Sequence, residues 1–344
     1  MESLLPMALD SLVGSSALDR LDVVVVNDGS RDGSLAVAER YAERYPQSVR
    51  VVDKANGNYG STINAALPTL QGEYVKVLDA DDRFDVALVA EVIEGLEAMS
   101  GVDVVVMPYV ECDARGERRV GYNLYSRDLY ACGDVYDAER VFADGAIHFF
   151  AMHSLAYRTE LLRAMGYRQS EGISYTDQEW AFYPMFHAER FGFMDTPLYI
   201  YNLAREGQTM DAAVQLRSIG QLERVVSAMA EYYAERAEAV SSAARREFLQ
   251  GVLVRRMATV YRKYLLDMSD AQFVASDFEA VDVRLSALAK CCGLAPLRCS
   301  VNGVLRLDLL GKWRRSGTRY SSMVRSALRW ADRVMMRLHE LLFR

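Results

Sequence analysis

Three runs of β-branched and apolar residues, each followed by a polar turn and then by apolar residues at helical spacing, constrain the fold most. The runs and the turns after them are residues 21–27 with Asn27 to Ser30, residues 49–53 with Asn56 to Thr62, and residues 74–78 with Asp79 to Asp82. A fourth run, 102–107, follows a helix predicted at 86–99. Alternating strands and helices predict an α/β fold with a mainly parallel sheet and helices on both faces.

Acidic and amide side chains stand directly after these predicted strands. Ligands of open α/β sheets bind outside the carboxyl ends of the strands, so Asp28, the segment 53–58 and the segment 79–82 are candidate ligand-binding residues. In an extended segment Asp79 and Asp81 point to the same side, where two carboxylates can hold one Mg²⁺ or Mn²⁺ ion. The alternative is an acidic loop that caps the next helix.

Length and pattern predict two parts. A chain of 344 residues buries a large core, and its composition, 51% hydrophobic and 25% charged, excludes the disordered class. A mixed pattern between 133 and 201 completes the first part, and apolar residues recur at helical spacing beyond it. We therefore predict a catalytic domain at 1–210 and a helical C-terminal region at 211–344.

Cysteine usage and the first residues bear on the compartment. The five cysteines are odd in number and form no C-x-x-C pair, which argues against a disulfide framework and a zinc site. Residues 1–12 have no basic stretch before their apolar residues, and no run of eighteen apolar residues occurs. We therefore expect a cytoplasmic protein without a signal peptide or a membrane span.

Charge is unevenly distributed along the chain. Residues 298–344 hold eleven Lys and Arg against three Asp and Glu, a balance of +8 in a chain of net −7. The acidic remainder argues against nucleic-acid binding. A basic amphipathic helix is predicted at 321–344, and arginines recur in it every four residues. Two interpretations stay open. The helix binds an anionic surface at the inner face of the membrane, or it packs on the catalytic domain. These arginines are Arg325, Arg329, Arg333 and Arg337.

Several separate motifs stand in an order typical of one family. They are N-D-G-S at 27–30, K-A-N-G-N-Y-G-S at 54–61, G-E-Y-V-K-V-L-D-A-D-D at 72–82, and an acidic motif at 177. With this order the chain resembles the family 2 glycosyltransferases from Leu5 to Met210, which implies a GT-A fold. Family members open with an apolar strand that this sequence lacks, and residues 1–12 resemble the helix after it. Either the natural start lies upstream, or this is a shortened form with a damaged nucleotide site.

The resemblance implies a nucleotide diphosphate sugar as the donor and Mg²⁺ or Mn²⁺ as the cofactor. Asp28 then holds the nucleotide, although Asn-Asp-Gly-Ser is also good turn chemistry. Asp79 contacts the ribose or the metal, and Asp81 contacts the metal. The nucleotide side also includes Lys54, Asn56 and Gly60, for which the alternative is an ordinary glycine-rich turn before a helix.

The candidate base stands in Ser174 to Trp180, which opens a helix predicted at 177–188. By the resemblance, Asp177 takes the proton from the acceptor hydroxyl. Thr176 departs from the family pattern, which often has a glutamate there, and Glu179 supplies the missing charge at the substrate. The alternative is that both acids stabilise the first turn of a helix.

Three further side chains complete the candidates. In related sequences a segment like that of Arg205 lies near the nucleotide diphosphate, where bidentate hydrogen bonds stabilise the leaving phosphate. The alternative for Arg205 is a solvated loop arginine. His148 and His153 lie in an apolar stretch, which favours packing or acceptor contact over metal ligation.

The sequence thus predicts an inverting glycosyltransferase. It moves a sugar from a nucleotide diphosphate sugar, with UDP as the expected nucleotide, to a hydroxyl of a glycan or lipid-linked acceptor in cell-surface polysaccharide or cell-wall glycan synthesis. One alternative is a catalytically inactive nucleotide-sugar-binding or scaffold protein, which fits the missing strand and Thr176. Another is a nucleotidyltransferase, whose glycine-rich basic N-terminal segment the sequence lacks.

Overall fold

The computed structural model describes residues 1–112, 118–121, 129–203, 212–294, 296–300 and 307–342, with side chains except at 118–121, 212 and 335–342. The chain divides into two compact units, Met1–Gln208 with Val240–Leu249, and Thr209–Ala239 with Gln250–Arg344. The boundary predicted from the sequence lies at residue 210 and stays a proposal. It assigns residues 240–249 to the second part, whereas they cluster here with the first unit.

The first unit contains all the strands that the described residues form. They are β1 (Val23–Asp28), β2 (Val49–Lys54), β3 (Tyr74–Val75), β4 (Arg83–Phe84), β5 (Val104–Val106), β6 (Tyr109–Cys112), β7 (Arg118–Gly121), β8 (Val135–Asp137), β9 (Leu155–Arg158), β10 (Arg190–Phe193) and β11 (Tyr199–Asn202). The α-helices between them are α1 (Leu5–Val13), α2 (Ser34–Arg44), α3 (Asn58–Ala66), α4 (Val89–Ala98), α5 (Ala138–Ala143), α6 (Thr159–Ala164) and α7 (Asp177–Trp180).

Strand pairing is more mixed than the alternating pattern predicts. β1 and β2 are parallel, and the other two sheets have the orders β3-β9-β5-β10-β8 and β4-β11-β6-β7. Only the pairs β5–β10 and β6–β11 are parallel in those two sheets. The antiparallel partners are strands of two to four residues, too short for a periodic pattern. The predicted α/β class with a helical C-terminal region is confirmed.

Apolar packing fixes the strand ends in space. On one side of β1 and β2, the buried residues Leu5 and Leu9 of α1 pack with Val37 and Ala38 of α2. The central strand β5 is completely buried, as its unbroken valine run predicts. Burial of these faces holds the loops that follow the strands at one edge.

Two predicted elements are shorter than expected. The run predicted at 74–78 pairs as a strand only at Tyr74–Val75. The helix predicted at 177–188 ends at Trp180 and is followed by a 3₁₀ turn, Tyr183–Phe186. Pro184 explains the second difference, because a proline inside an α-helix removes a backbone donor and clashes with the preceding turn.

The second unit is built from helices. Its α-helices are α8 (Ala212–Arg217), α9 (Ile219–Arg236), the greater part of α10 (Ala243–Arg262), α11 (Ala275–Cys291), α12 (Leu309–Ser316) and α13 (Ser322–Leu342). Phe278 is fully buried and forms edge contacts with Tyr261 and Trp313. Among the described residues, every helix is too short or too polar to cross a membrane.

Helix α13 turns part of its basic face inward. Arg325 is buried and donates to the carboxylate of Asp270 at 2.7 Å, and Arg329 donates to the carbonyl of Leu266 at 2.6 Å. Met323 and Trp330, by contrast, are 80% and 63% exposed. Internal partners therefore relieve much of the repulsion between the arginines.

Candidate functional site

The ends of β1 and β2 form one hydrogen-bonded group. Asp28 and Lys54 are partners in the parallel register, and the Lys54 ammonium donates to Asp28 Oδ1 at 2.8 Å. The Gly57 N–H and the Ser61 hydroxyl donate to the same oxygen at 2.9 and 3.2 Å. Burial raises the pKa of Asp28, but these donors outweigh it and hold the pKa below its ordinary value.

Asn56 belongs to the same group, and Gly60 packs closely against another segment of the chain. The Asn56 side-chain amide donates to the carbonyl of Asp28 at 2.8 Å. A Cβ at Gly60 would lie 2.1 Å from the carbonyl oxygen of Ser170, so the glycine allows two backbone segments to approach closely. Asn58, at the start of α3, has a φ of 62°, which is uncommon for a residue other than glycine. The structure thus brings Asp28, Lys54 and Asn56 together.

The turn after β3 gathers the acidic residues. The Asp82 N–H donates to the carbonyl of Asp79 at 3.0 Å, which closes a four-residue turn. Burial, and then the charges of Asp82 and Asp81, raise the pKa of Asp79 to about 8, and Asp177 adds to the effect. The predicted residues Asp81 and Asp177 therefore both lie within electrostatic reach of Asp79.

Two side chains of this turn and one from a distant segment form a cluster that fits a divalent cation. Donor atoms of Asp79, Asp82 and His153 all lie within 4.8 Å of one another. Carboxylate oxygens are the ligands that Mg²⁺ and Mn²⁺ prefer, and a cation would offset the like charges that surround Asp79. Asp81 is not a member of this group of three, and its role as a metal ligand stays a prediction.

Sequence reasoning included Asp82 only within the candidate segment 79–82, and for His153 it favoured packing or acceptor contact over metal ligation. His153 does pack as expected, with its ring stacked on Tyr201 at a centroid distance of 4.4 Å. Burial, and then the charge of Lys76, lower the pKa of His153 to about 3, so the ring is neutral and keeps a nitrogen lone pair at neutral pH. Asp82 follows the D-x-D motif directly, and only the fold shows which of the three carboxylates faces His153.

Tyr59 links the acidic turn to the candidate base. Burial, and then the charges of Asp79 and Asp177, raise the pKa of the Tyr59 phenol well above its ordinary value. The tyrosine of the K-A-N-G-N-Y-G-S motif therefore lies near both carboxylates. No pattern in the sequence marks this tyrosine, because the contact depends on how α3 packs.

Asp177 and Glu179 occupy different environments at the start of α7. Asp177 is exposed, whereas Glu179 is fully buried and accepts from the Ser170 N–H and hydroxyl at 2.7 and 2.6 Å. Burial raises the pKa of Glu179, against the effect of these hydrogen bonds. Tyr175, with a φ of 70°, is strained two residues before Asp177. An exposed carboxylate can meet an acceptor, while the substrate contact of Glu179 stays a prediction.

The roles of two other candidates stay predictions. Arg205 lies outside the described residues, and its contact with the diphosphate stays a prediction. His148 is exposed and precedes β9 in the sequence. Its role in the acceptor site is likewise a prediction.

Known proteins resemble this chain in part. The glycosyltransferase EpsJ of Bacillus subtilis, named as uncharacterized, is 25% identical over 201 residues, which are 58% of this chain and 57% of EpsJ. The minor teichoic acid biosynthesis protein GgaB of the same organism is 28% identical over 116 residues, 33% of this chain and 13% of GgaB. The chain thus spans less than two thirds of the length of either relative.

A solved structure and a family model complete the comparison. The mannosyltransferase PcManGT from Pyrobaculum calidifontis, solved with GDP-Man and Mn²⁺, is 18% identical with a TM-score of 0.49, over 84% of this chain and 83% of PcManGT. The model of glycosyl transferase family 2 matches residues 2–166, which include every motif from Asp28 to Asp82. Residues 2–166, just under half of this chain, therefore match glycosyl transferase family 2.

Proposed function

We propose that this chain is an inverting, metal-dependent glycosyltransferase that uses a nucleotide diphosphate sugar, with residues 1–210 as its catalytic domain. The observation that carries the proposal is the cluster at the acidic turn after β3, where donor atoms of Asp79, Asp82 and His153 lie within 4.8 Å of one another. This turn lies in the segment that matches the family model. A divalent cation there, Mg²⁺ or Mn²⁺, neutralises charge that develops on a leaving diphosphate.

The chemical step needs one base. The acceptor hydroxyl oxygen attacks the anomeric carbon from the face opposite the diphosphate, a carbon–oxygen bond forms, and the bond to the diphosphate oxygen breaks. Asp177 takes the hydroxyl proton as the new bond forms. Its exposure and its electrostatic coupling to Asp79 support this role, because the base must reach both solvent-borne acceptor and metal-bound donor.

The group around Asp28 supports binding of the nucleotide. Asp28, Lys54 and Asn56 are already fixed by hydrogen bonds, so they lose little conformational freedom when a nucleotide binds. Asp79 contacts the ribose or the metal and Asp81 the metal. Arg205 contributes bidentate hydrogen bonds to the departing phosphate.

The test is release of nucleoside diphosphate from UDP-, GDP- and TDP-sugars with Mn²⁺ or Mg²⁺, with and without EDTA. We expect metal-dependent release by the wild type and loss of release in Asp177→Asn. Binding of the sugar nucleotide without any release would instead support the inactive or scaffold protein. Release of pyrophosphate from a nucleoside triphosphate and a sugar phosphate would support the nucleotidyltransferase.

The acceptor is proposed to be a hydroxyl of a growing surface or cell-wall glycan. A relative named for minor teichoic acid biosynthesis supports this class of acceptor. A lipid-linked acceptor would be reached at an anionic membrane surface. The residues of α13 available to bind such a surface are the exposed Met323 and Trp330, together with the exposed Arg333. This arrangement supports a peripheral location at the inner face of the membrane.

Co-sedimentation with vesicles of phosphatidylserine and phosphatidylcholine tests the membrane proposal. We expect Trp330→Ser to reduce the bound fraction while the melting temperature stays unchanged, because the indole is exposed. Val283→Ser, which removes a 72% exposed side chain from α11, is the matched control. Equal binding by wild type and Trp330→Ser would contradict the proposal.

A further inference from the structure

Tyr199 joins the acidic turn to strand β11. Its hydroxyl donates to Asp82 Oδ2 at 2.6 Å and accepts the backbone N–H of Asp79 at 3.3 Å. One phenol therefore contacts both the first and the last residue of the turn. Since β11 pairs with β4 through Tyr199 and Phe84, the strand that follows the turn also holds this tyrosine in place.

The ring of Tyr199 is fixed independently of its hydroxyl. It forms edge contacts with Phe84 and His153 at centroid distances of 5.8 and 4.7 Å. The Lys76 ammonium lies 5.7 Å from the ring centroid and donates to the carbonyl of His153 at 2.6 Å. Removal of the hydroxyl alone should therefore leave the ring, and the histidine packed on it, where they are.

Asp82 uses both carboxylate oxygens within the protein. Oδ2 accepts from Tyr199, and Oδ1 accepts from the backbone N–H of Asn202 at 2.8 Å, at the end of β11. The side chain is completely buried. Asp82 thereby ties the acidic turn to the last residue of β11, three residues before Arg205 in the sequence. Asp82 lies in one cluster with Asp79 and His153. Because both of its oxygens already accept hydrogen bonds, it is better placed to hold the turn than to be a primary ligand.

We propose that Tyr199 and Asp82 are a positioning pair that holds the turn at Asp79 and Asp81 in the geometry that binds the cation. The inference rests on the proposed metal dependence of this site. It separates two roles among three neighbouring acids: Asp79 and Asp81 bind the cation, and Asp82 acts through the fold. Partners that orient metal ligands commonly change metal affinity 10- to 100-fold when they are removed.

The test is a titration of the full chain with Mn²⁺ alone, in which electron paramagnetic resonance measures the free ion. It measures metal binding directly and needs no enzymatic activity. We expect Tyr199→Phe to weaken Mn²⁺ binding about tenfold, the lower end of the range for residues that orient ligands. Asp82→Asn should have a similar effect, since the amide keeps the shape but changes the bond to Tyr199. Asp79→Asn should abolish binding.

Tyr74→Phe is the matched control. Tyr74 lies on β3, and its hydroxyl donates to the carbonyls of Met99 and Val102 at 2.7 and 3.0 Å and accepts the Val102 N–H at 3.2 Å. This variant therefore also loses a tyrosine hydroxyl that both donates and accepts hydrogen bonds. Its melting temperature should fall about as much as that of Tyr199→Phe, while its Mn²⁺ affinity should equal the wild type. Equal affinities of Tyr199→Phe and Tyr74→Phe would overturn the positioning role.

A double variant distinguishes a pair from two separate effects. If Tyr199 and Asp82 act together, Tyr199→Phe with Asp82→Asn should weaken Mn²⁺ binding no more than the stronger single variant. Abolished binding in Asp82→Asn, with an unchanged Tyr199→Phe, would make Asp82 a ligand and contradict the proposal. Absence of Mn²⁺ binding by the wild type would overturn the metal-dependent function itself, and with it this inference.

Discussion

Two aspartates lie at or beyond the ends of strands in this fold, and their surroundings are opposite. Asp28, the last residue of β1, receives an ammonium, an amide and a hydroxyl on one oxygen, and its pKa is lowered. Asp79, at the turn after β3, lies among other carboxylates, and burial with their charges raises its pKa to about 8. In the part of the chain that the structure describes, Lys54 forms an ion pair with Asp28, and Asp79 has no equivalent basic partner.

The difference teaches which group is complete and which needs a ligand. The group around Asp28 is neutralised from within, so it is a rigid surface against which a nucleotide can bind. The turn around Asp79 carries an excess of negative charge that a cation would offset. The family match and this contrast together support a metal-bound diphosphate at the turn rather than at Asp28.

The largest expected effect concerns Asp177, which is coupled to the turn. As a general base it should contribute about 10²- to 10⁴-fold to the rate, so Asp177→Asn should lower kcat by about 10³-fold. The release assay measures kcat, and calorimetry measures donor affinity, which should stay within a few fold. A kcat within tenfold of the wild type would remove Asp177 from the role of base.

A second prediction tests how closely the group around Asp28 is packed. Gly60→Ala would place a methyl group 2.1 Å from the carbonyl of Ser170, so we expect a loss of about 1–3 kcal/mol in the free energy of unfolding. Gly220→Ala in α9, where nothing lies within 4 Å of an added Cβ, is the control and should be neutral or stabilising. Urea denaturation measures both. Equal effects would show that α3 does not depend on this close approach.

Matched substitutions test the contrast itself. Asp28→Asn removes the charge from the ion pair with Lys54 and should cost about 1.5 kcal/mol, the lower end of the range for hydrogen bonds to charged groups. Asp79→Asn removes a carboxyl whose raised pKa opposes folding at neutral pH and should leave the metal-free protein as stable or more stable. Urea denaturation in EDTA compares them. A larger loss of stability in Asp79→Asn than in Asp28→Asn would reverse the contrast.

The smallest expected effect is in the pH dependence of Asp28. Its folded-state pKa lies below the ordinary value of 3.8, so its stabilisation is present above about pH 4 and is lost as pH falls through the folded-state pKa. The stability difference between wild type and Asp28→Asn should therefore shrink between pH 5 and pH 3. Urea denaturation at pH 5, 4 and 3 measures it. A difference that is constant with pH would indicate that Asp28 makes no net favourable ionic contact.

Local chemistry made much of the fold predictable. The alternation of valine runs with helical segments gave the order of β1, α2, β2 and α3, because those elements are long enough to show their periods. β4 and β11 are two and four residues long and pair across more than a hundred residues, so no local pattern marks them. The mixed pairing of the sheets could not be read without them.

The candidate site was predictable to the same extent. Asp28 and Lys54 end adjacent strands in register, so position after a strand was sufficient to associate them. His153 comes from a segment more than seventy residues beyond the acidic turn, and Tyr199 from one more than a hundred beyond it. Their contacts depend on tertiary packing, as does the burial of Glu179, whose sequence position matches a helix-stabilising acid equally well.

The most direct test of the central claim is the metal dependence of nucleoside diphosphate release, measured in wild type, Asp79→Asn and Asp28→Asn across a Mn²⁺ titration. We predict release by the wild type that EDTA abolishes, no release by Asp79→Asn at any Mn²⁺ concentration, and release by Asp28→Asn with a raised donor KM but an unchanged Mn²⁺ requirement. Release that persists in EDTA, or in Asp79→Asn, would contradict the assignment of the cation to the turn after β3.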